Sequence, residues 1–232
     1  MIELEGASYS YAAGPGGAEG PRLLDALDLT LAPGSFHFLT GPSGTGKTTL
    51  LKLLYGDLKP THGTVRLWGA DSRAVGRDDL ARARRRIGVV HQDCRFLDHL
   101  PIHENIALPL TVAGRHDAAS EENLSALLDW VGLRERFYAL PPELSGGERQ
   151  RAALARAVIM DPEIIVADEP TGNVDWEMSQ RLLALLAELN RMGKTILVAT
   201  HDLALIRAAK SLVQARVLRL AGGRLTQAGA DL

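Results

Sequence analysis

The segment "GPSGTGKTT" at residues 41–49 combines glycines, a lysine and hydroxyl residues at a spacing that suits phosphate binding. From Gly41 to Thr48 it matches Gly-x-x-x-x-Gly-Lys-Thr, in which backbone N–H groups surround phosphate oxygens. Lys47 would reach the β- and γ-phosphates, and the Thr48 hydroxyl would bind Mg²⁺. The apolar run "SFHFLT" before the loop and "KTTLLKLLYG" after it predict the required strand and helix. The predicted nucleotide-binding residues are Gly41, Pro42, Ser43, Gly44, Thr45, Gly46, Lys47, Thr48 and Thr49.

Two adjacent acidic residues, Asp168 and Glu169, end another apolar run, "EIIVADEP". An acidic side chain at the end of a buried strand can hold Mg²⁺, and a second carboxylate can position the attacking water. We therefore predict Asp168 as a metal ligand and Glu169 as the general base. The alternative is that both residues merely cap a strand before Pro170.

His201 and Gln92 also follow apolar runs, "TILVAT" and "IGVV" respectively. Ligands of α/β proteins bind at the carboxyl ends of parallel strands, so His201 is predicted to contact the γ-phosphate. Gln92 could offer its amide oxygen to Mg²⁺ or to water. On its own, Gln92 is explained equally simply as a polar residue at a strand end.

The stretch "LSGGE" at 144–148 predicts a second helix start, and helix starts bind anions. Ser145, Gly146 and Gly147 could offer a hydroxyl and backbone N–H groups to a phosphate. The loop at 41–49 already encloses one side of the nucleotide, so a second copy of the chain, facing head to tail, could supply this helix start to the other side. Simple turn glycines are the alternative.

The remaining pattern predicts an α/β fold. Alternating apolar residues in "MIELEGASYSY" and "LDALDLTLAPG" indicate antiparallel strands, with the Gly- and Pro-rich stretch 12–21 as a loop between them. Buried strands that alternate with helices indicate a mostly parallel sheet. Residues 97–144 read as short helical segments inserted in it, 176–192 as a helix, and the C-terminal "VLRLAGGRLTQAG" as a hairpin.

The composition excludes several classes of protein. With 232 residues, 46% of them hydrophobic, the chain can bury a substantial core, and a net charge of −2 provides no global field for nucleic acid. The arginine-rich run 77–88 is explained as a solvated helix face, with an acidic lipid or partner surface as the alternative. Cys94 is expected to be a small buried residue. No signal peptide or membrane span is indicated, so the chain is expected in the cytoplasm unless a partner tethers it.

Six features occur together and in this order: "GPSGTGKT", Gln92, "LSGGE", "VADEP", "NVD" and "ATHD". With them, the chain resembles an ATP-binding-cassette (ABC) ATPase subunit over essentially its whole length. The resemblance implies a P-loop NTPase fold with a mostly parallel RecA-like core sheet, an antiparallel β subdomain and a helical subdomain. The helical subdomain would span 93–154, inserted between core segments 1–92 and 155–232 of one domain. It also implies a homodimer that binds two MgATP, in which Tyr11 stacks on adenine, Gln92 senses the γ-phosphate and Asp175 lies across the dimer.

Within that superfamily "DEPTGNVD" resembles a branch that includes the FtsE-type cell-division ATPases and the lipoprotein-releasing and macrolide-export ATPases. The stretches "FLTGPSGTGKTTLLKLLYG" and "IGVVHQDCRFLDHLPIHENIALPL", with Asp93 directly after Gln92, favour the FtsE-type branch. That branch implies an FtsX-like integral membrane partner at the cytoplasmic face of the inner membrane, and indirect control of the division machinery and cell-wall hydrolases. Alternatives are a lipoprotein-releasing or macrolide-type exporter, a soluble ABC ATPase of DNA repair or translation, and a non-catalytic scaffold. No nucleic acid partner is expected. The departures from the branch are His91, Cys94, Val174 and Trp176, of which the first two bear on the partner's identity.

Overall fold

A computed structural model describes residues 1–12, 19–115, 118–172 and 174–227. Over these ranges the chain forms two β-sheets with helices packed around them. No helix within the described ranges is both long and apolar enough to cross a membrane.

The first sheet is antiparallel, with the strand order β2-β1-β4-β5. Its strands are β1 (Ile2–Ala12), β2 (Glu19–Leu31), β4 (His62–Leu67) and β5 (Ala70–Asp71). The predicted loop 12–21 is wrong at its two ends, because Ala12 pairs with Glu19 and β2 continues through Pro21. A proline is tolerated there because β2 is an edge strand. The rest of the predicted loop, residues 13–18, lies outside the described residues.

The second sheet has the strand order β10-β9-β3-β8-β7-β6. Its strands are β3 (Phe36–Thr40), β6 (Ile87–Val90), β7 (Ile164–Asp168), β8 (Thr195–Ala199), β9 (Ala215–Ala221) and β10 (Arg224–Gln227). Neighbours pair in parallel except β9 and β10, which form the predicted C-terminal hairpin. The mostly parallel sheet is therefore confirmed. Since parallel strands end at one edge, the residues that follow β3, β6, β7 and β8 meet there.

Four helices flank the sheets outside the insertion: α1 (Lys47–Leu54), α2 (Arg77–Arg85), α6 (Trp176–Arg191) and α7 (Leu203–Ala209). Helix α1 directly follows the glycine loop and ends before Gly56, whose φ of +75° suits a helix end. The arginine-rich run forms α2, which has no buried residue and matches the predicted solvated helix.

Helices α3 (Ile102–Val112), α4 (Ala118–Trp130) and α5 (Gly146–Val158) lie between β6 and β7, with short 3-10 turns at Arg134–Arg136 and Pro141–Glu143. They share a hydrophobic cluster of their own that includes Ile106, Leu124 and Leu128. Helix α5 also packs Ala153 and Leu154 against the core of the parallel sheet. A helical insertion thus exists at the expected place, whereas the exact subdomain boundaries 93–154 stay a prediction.

Candidate nucleotide site

The glycine loop between β3 and α1 has a backbone that other residues could not adopt. Gly41 has a φ of +154°, and a Cβ atom there would lie 2.2 Å from the carbonyl oxygen of Leu220. Gly46, the N-cap of α1, has a φ of +99°. The loop therefore curls tightly onto the positive end of a helix, which is the arrangement that receives phosphate groups.

Lys47 points its ammonium group back into this loop. The side chain is 8% exposed, and Nζ donates to the carbonyl oxygens of Gly41 (2.9 Å) and Pro42 (3.3 Å). Nζ also lies 3.7 Å from Oε1 of Glu169. A buried cation held mainly by neutral carbonyls can be transferred to phosphate oxygens, which are stronger acceptors.

Asp168 and Glu169 are both buried at the end of β7, each 8% exposed. Burial raises the pKa of Asp168, the hydrogen bond from Thr48 lowers it in part, and the nearby charge of Glu169 raises it again. Glu169 has a φ of +46°, a left-handed conformation that few non-glycine residues adopt, and its N–H donates to the carbonyl of Ala199 (2.9 Å). Strained backbones of this kind cluster at functional sites.

His201 holds the carboxylate of Glu169 from the neighbouring strand end. Its Nδ1 lies 3.0 Å from Oε2 of Glu169, and its backbone N–H donates to the same oxygen at 3.4 Å. The imidazole remains two-thirds exposed, so it can meet a ligand while one nitrogen is engaged. The sheet order β8-β7 places these two residues side by side, as the sequence predicted for strand ends.

These side chains line one cavity of about 360 Å³. Its walls are formed by Leu23, Ser43, Gly44, Gly46, Lys47, Thr48, Thr49, Gln92, Asp168, Glu169, Gly172 and His201. The structure therefore brings together the predicted loop, metal, base and γ-phosphate residues. Leu23 and Gly172 were missed by the sequence analysis. Leu23 comes from the antiparallel sheet and carries no local signal, whereas Gly172 follows the acidic pair closely enough to have been considered.

Tyr11 does not line this cavity, but it contacts the helix that begins there. The ring is half exposed (52%), its hydroxyl lies 3.1 Å from Oγ1 of Thr49, and it meets Tyr9 edge-on at 4.9 Å. An exposed aromatic face next to the phosphate loop is a suitable platform for a base. Its stacking on adenine stays a prediction.

Ser145, Gly146, Gly147 and Asp175 lie outside the cavity, at the starts of two helices. Ser145 caps α5 in a reciprocal arrangement with Glu148, whose N–H donates to Oγ of Ser145 (3.3 Å). Asp175 caps α6 by accepting the N–H of Met178 (2.8 Å). None of these residues lines the cavity of its own chain, and their predicted role toward the nucleotide of a second copy stays a prediction.

Oxygen atoms around the cavity fit a magnesium ion. Thr48 offers a hydroxyl next to the Asp168 carboxylate, and the Gln92 amide lines the same cavity. Mg²⁺ prefers such oxygen ligands and commonly takes few from the protein, since phosphates and water supply the others. Consistent with this, the described part of the chain has no cluster of three or more His, Cys, Asp or Glu residues that would hold a metal alone.

Comparison with known proteins assigns the chain and its fold to one class. Residues 24–172 match the family model described as ABC transporter. The structure also superposes on a solved dimeric post-hydrolysis state of the ATP-binding cassette MJ0796 bound to ADP and Pi. That match has a TM-score of 0.87 and 33% identity, and it covers 98% of each chain. The chain therefore belongs to the ABC transporter family, and it is an ATPase.

Particular relatives within the family are cell division ATP-binding proteins named FtsE. The protein of Haemophilus influenzae is 44% identical over 89% of this chain and 93% of its own length. That of Escherichia coli K12 is 40% identical over 97% of both chains, and that of Bacillus subtilis is 36% identical over 92% of this chain and 91% of its own. The predicted fold class, the ATPase activity and the FtsE-like character are thus confirmed.

Proposed function

We propose that this chain is the ATP-hydrolysing subunit of an FtsEX-like cell-division complex. The observation that carries the proposal is the single cavity in which the glycine loop, Gln92, Asp168, Glu169 and His201 converge. The FtsE names of its relatives support the division role. Coupling to an FtsX-like membrane protein places the chain at the cytoplasmic face of the inner membrane, where it controls cell-wall hydrolysis indirectly.

The chain's own residues divide the work of hydrolysis. The loop amides and Lys47 bind the phosphates, and Tyr11 supports the base. Mg²⁺, held by Thr48, Asp168 and Gln92, would neutralise charge on the β- and γ-phosphates. Glu169 positions a water molecule and accepts its proton as the water oxygen attacks the γ-phosphorus, and the bond to the leaving ADP oxygen breaks. His201 holds Oε2 of Glu169 in place and faces the γ-phosphate.

A second copy of the chain completes the site. Ser145, Gly146, Gly147 and Asp175 lie outside the cavity of their own protomer and at exposed or half-buried helix starts. In a head-to-tail dimer they would meet the nucleotide of the partner, because a helix start favours a phosphate. The solved structures of a related cassette, which are dimeric, support the formation of a dimer. ATP binding would close the dimer, and hydrolysis would reopen it.

The test is co-purification of the Glu169→Gln variant with its membrane partner in mild detergent and ATP, followed by mass spectrometry. This variant should retain ATP while turnover falls by about 10²–10⁴-fold, the usual contribution of a positioned base. Recovery of an FtsX-like protein with few spans and an extracytoplasmic loop is expected. Glu122→Gln, an exposed glutamate that does not line the cavity, is the matched control for turnover.

Other proteins in the same experiment would change the proposal in defined ways. A lipoprotein-releasing or export permease would keep the ATPase chemistry and remove the division role. Recovery of no membrane protein would argue for a soluble ABC ATPase instead. Near-normal turnover of Glu169→Gln, with Glu122→Gln unchanged, would remove Glu169 from the role of base.

A further inference from the structure

The starts of α5 and α6 touch at one unusually close contact, between Gly147 and Met178. A Cβ atom built on Gly147 would lie 2.8 Å from Cγ, 3.0 Å from Cε and 3.2 Å from Sδ of Met178. Gly147 has no positive φ, so its backbone conformation is open to any residue. A side chain at Gly147 would therefore force Met178 to shift, because the Met178 side chain fills the space in front of this glycine.

Arg151 reaches the same thioether from one turn further along α5. Its Nη1 donates to Sδ of Met178 at 2.9 Å. Its Nε is buried and has no hydrogen-bond partner among the described residues. A thioether is a weak acceptor, and methionine adapts its shape to irregular gaps. The Met178 side chain therefore packs against Gly147 of α5 and accepts a hydrogen bond from the guanidinium group of Arg151.

The backbone of Met178 is tied to Asp175. Its N–H donates to the Asp175 carboxylate at 2.8 Å, which closes the cap of α6. The Ser179 hydroxyl donates to the Asp175 carbonyl at 2.9 Å. A displacement of Met178 therefore moves the Asp175 cap with it.

We propose that Met178 is a positioning residue, which fixes the spacing between the Ser145–Gly147 helix start and Asp175. The contacts with Gly147 and Arg151 tie it to α5, and the capping bond ties it to Asp175. Both elements are then presented to the partner protomer as one surface. This inference rests on the proposed function, because that function assigns both elements to the nucleotide of a second copy.

The first experiment measures the coupling in the nucleotide-free protein by hydrogen exchange. Met178→Ala, a change in α6, should speed amide exchange of residues 149–153 in α5, whose N–H groups are bonded within the helix, at least tenfold, because it removes the side chain that packs there. Met178→Leu, which keeps similar volume, should restore slow exchange. Met192→Ala is the matched control, since Met192 lies at the other end of α6 and is two-thirds exposed. Exchange in β7 should not change in any variant.

The second experiment measures ATP-driven dimerisation by sedimentation in the Glu169→Gln background. Met178→Ala should raise the dimer dissociation constant at least tenfold while the ATP affinity of the monomer changes less than twofold. Met178→Leu should bring the dimer dissociation constant back to within threefold of the value for Glu169→Gln alone. A loss of dimerisation that Leu does not rescue would contradict the positioning role.

A double variant separates this contact from a direct role of Gly147 at a phosphate. Gly147→Ala alone should impair dimerisation strongly, because the new methyl group collides with Met178. Adding Met178→Ala removes every atom within 3.2 Å of that methyl, so the double variant should dimerise within threefold of Met178→Ala alone. If the double variant dimerises at least tenfold more weakly than Met178→Ala alone, the glycine acts through something other than this contact and the inference fails.

The outcomes also separate this inference from the proposed function. If Glu169→Gln does not dimerise with ATP, the proposed dimer is wrong, while the exchange experiment still decides whether Met178 couples the helices. If Glu169→Gln dimerises and Met178→Ala does so equally well, the dimer stands and the positioning role of Met178 is overturned.

Discussion

At the scale of residues, the buried charged side chains determine which ligand the cavity can bind. Lys47 supplies one positive charge, and Asp168 and Glu169 supply two negative charges, all at 8% exposure. Such an arrangement repels a triphosphate unless a divalent cation is also present, because electrostatic interactions are stronger away from water. The raised pKa of Asp168 shows that its negative charge is unfavourable here.

Asp168→Asn is therefore expected to stabilise the nucleotide-free protein. Asparagine removes the buried charge, and its side-chain oxygen can still accept the Thr48 hydroxyl. We expect the free energy of unfolding in urea at pH 7 to rise, because a raised pKa means that the ionised carboxylate is less favourable in the folded chain than in the unfolded chain. Turnover should be lost together with Mg²⁺-dependent nucleotide binding.

Asp98→Asn, at an exposed position, provides the comparison and should leave the free energy of unfolding within about 0.5 kcal/mol. A loss of more than 1 kcal/mol in Asp168→Asn would show that the carboxylate stabilises the empty cavity, contrary to this account.

At the scale of elements, the sequence predicted those strands, strand-end residues and loops that follow from a local pattern of residue types. The runs that became β3, β7 and β8 are apolar at nearly every position, and a strand buried on both faces requires this. The polar residues after β6, β7 and β8 could be assigned to one edge because parallel strands end together. The glycine loop was predictable because the spacing of its glycines and lysine in the sequence defines the conformation of a phosphate-binding loop.

Features that depend on long-range contact were missed. Strand β2 extends to Glu19 only because β1 pairs with it, and Leu23 reaches the cavity only because the antiparallel sheet packs beside the loop. The approach of Gly147 to Met178 joins residues that no periodicity relates. Tertiary packing determines the extent of β2, the position of Leu23 and the contact between Gly147 and Met178. The residues next to each of these positions in the sequence give no signal of it.

Strand β3 also carries a buried histidine that should make stability depend on pH. His37 is 2% exposed, its Nε2 lies 2.9 Å from Oγ of Ser35, and its Nδ1 has no partner among the described residues. Burial, aided by the charge of Arg216, lowers the pKa of His37 from 6.5 to about 4. The unfolded chain therefore binds this proton more tightly than the folded chain, and low pH favours unfolding.

Above pH 6.5, His37 is neutral in both the folded and the unfolded chain and does not lower the free energy of unfolding. As the pH falls from 6.5 toward 4, the free energy of unfolding decreases by about 3 kcal/mol at most because of this residue. His37→Leu should remove this part of the pH dependence when urea unfolding is measured between pH 7 and pH 4. His99→Gln, at an exposed position, should retain the wild-type slope. An unchanged slope in His37→Leu would show that His37 is not the responsible group.

At the scale of the whole molecule, the predicted site residues form two sets, one that lines the cavity and one that does not. The cavity side carries the phosphate loop, Glu169 and His201, whereas Ser145, Gly147 and Asp175 stand at the starts of α5 and α6. The account therefore depends on two copies sharing each nucleotide.

Sedimentation velocity of the Glu169→Gln variant, with and without MgATP, tests this claim most directly when Ser145→Arg is added in parallel. We predict an ATP-dependent dimer for Glu169→Gln and a monomer for the double variant, because arginine removes the Ser145 hydroxyl and places bulk at the helix start that should meet a phosphate. Nucleotide affinity of the monomer should be nearly unchanged, since Ser145 does not line the cavity. The same dimer in both proteins, or a monomer in both, would contradict the shared site.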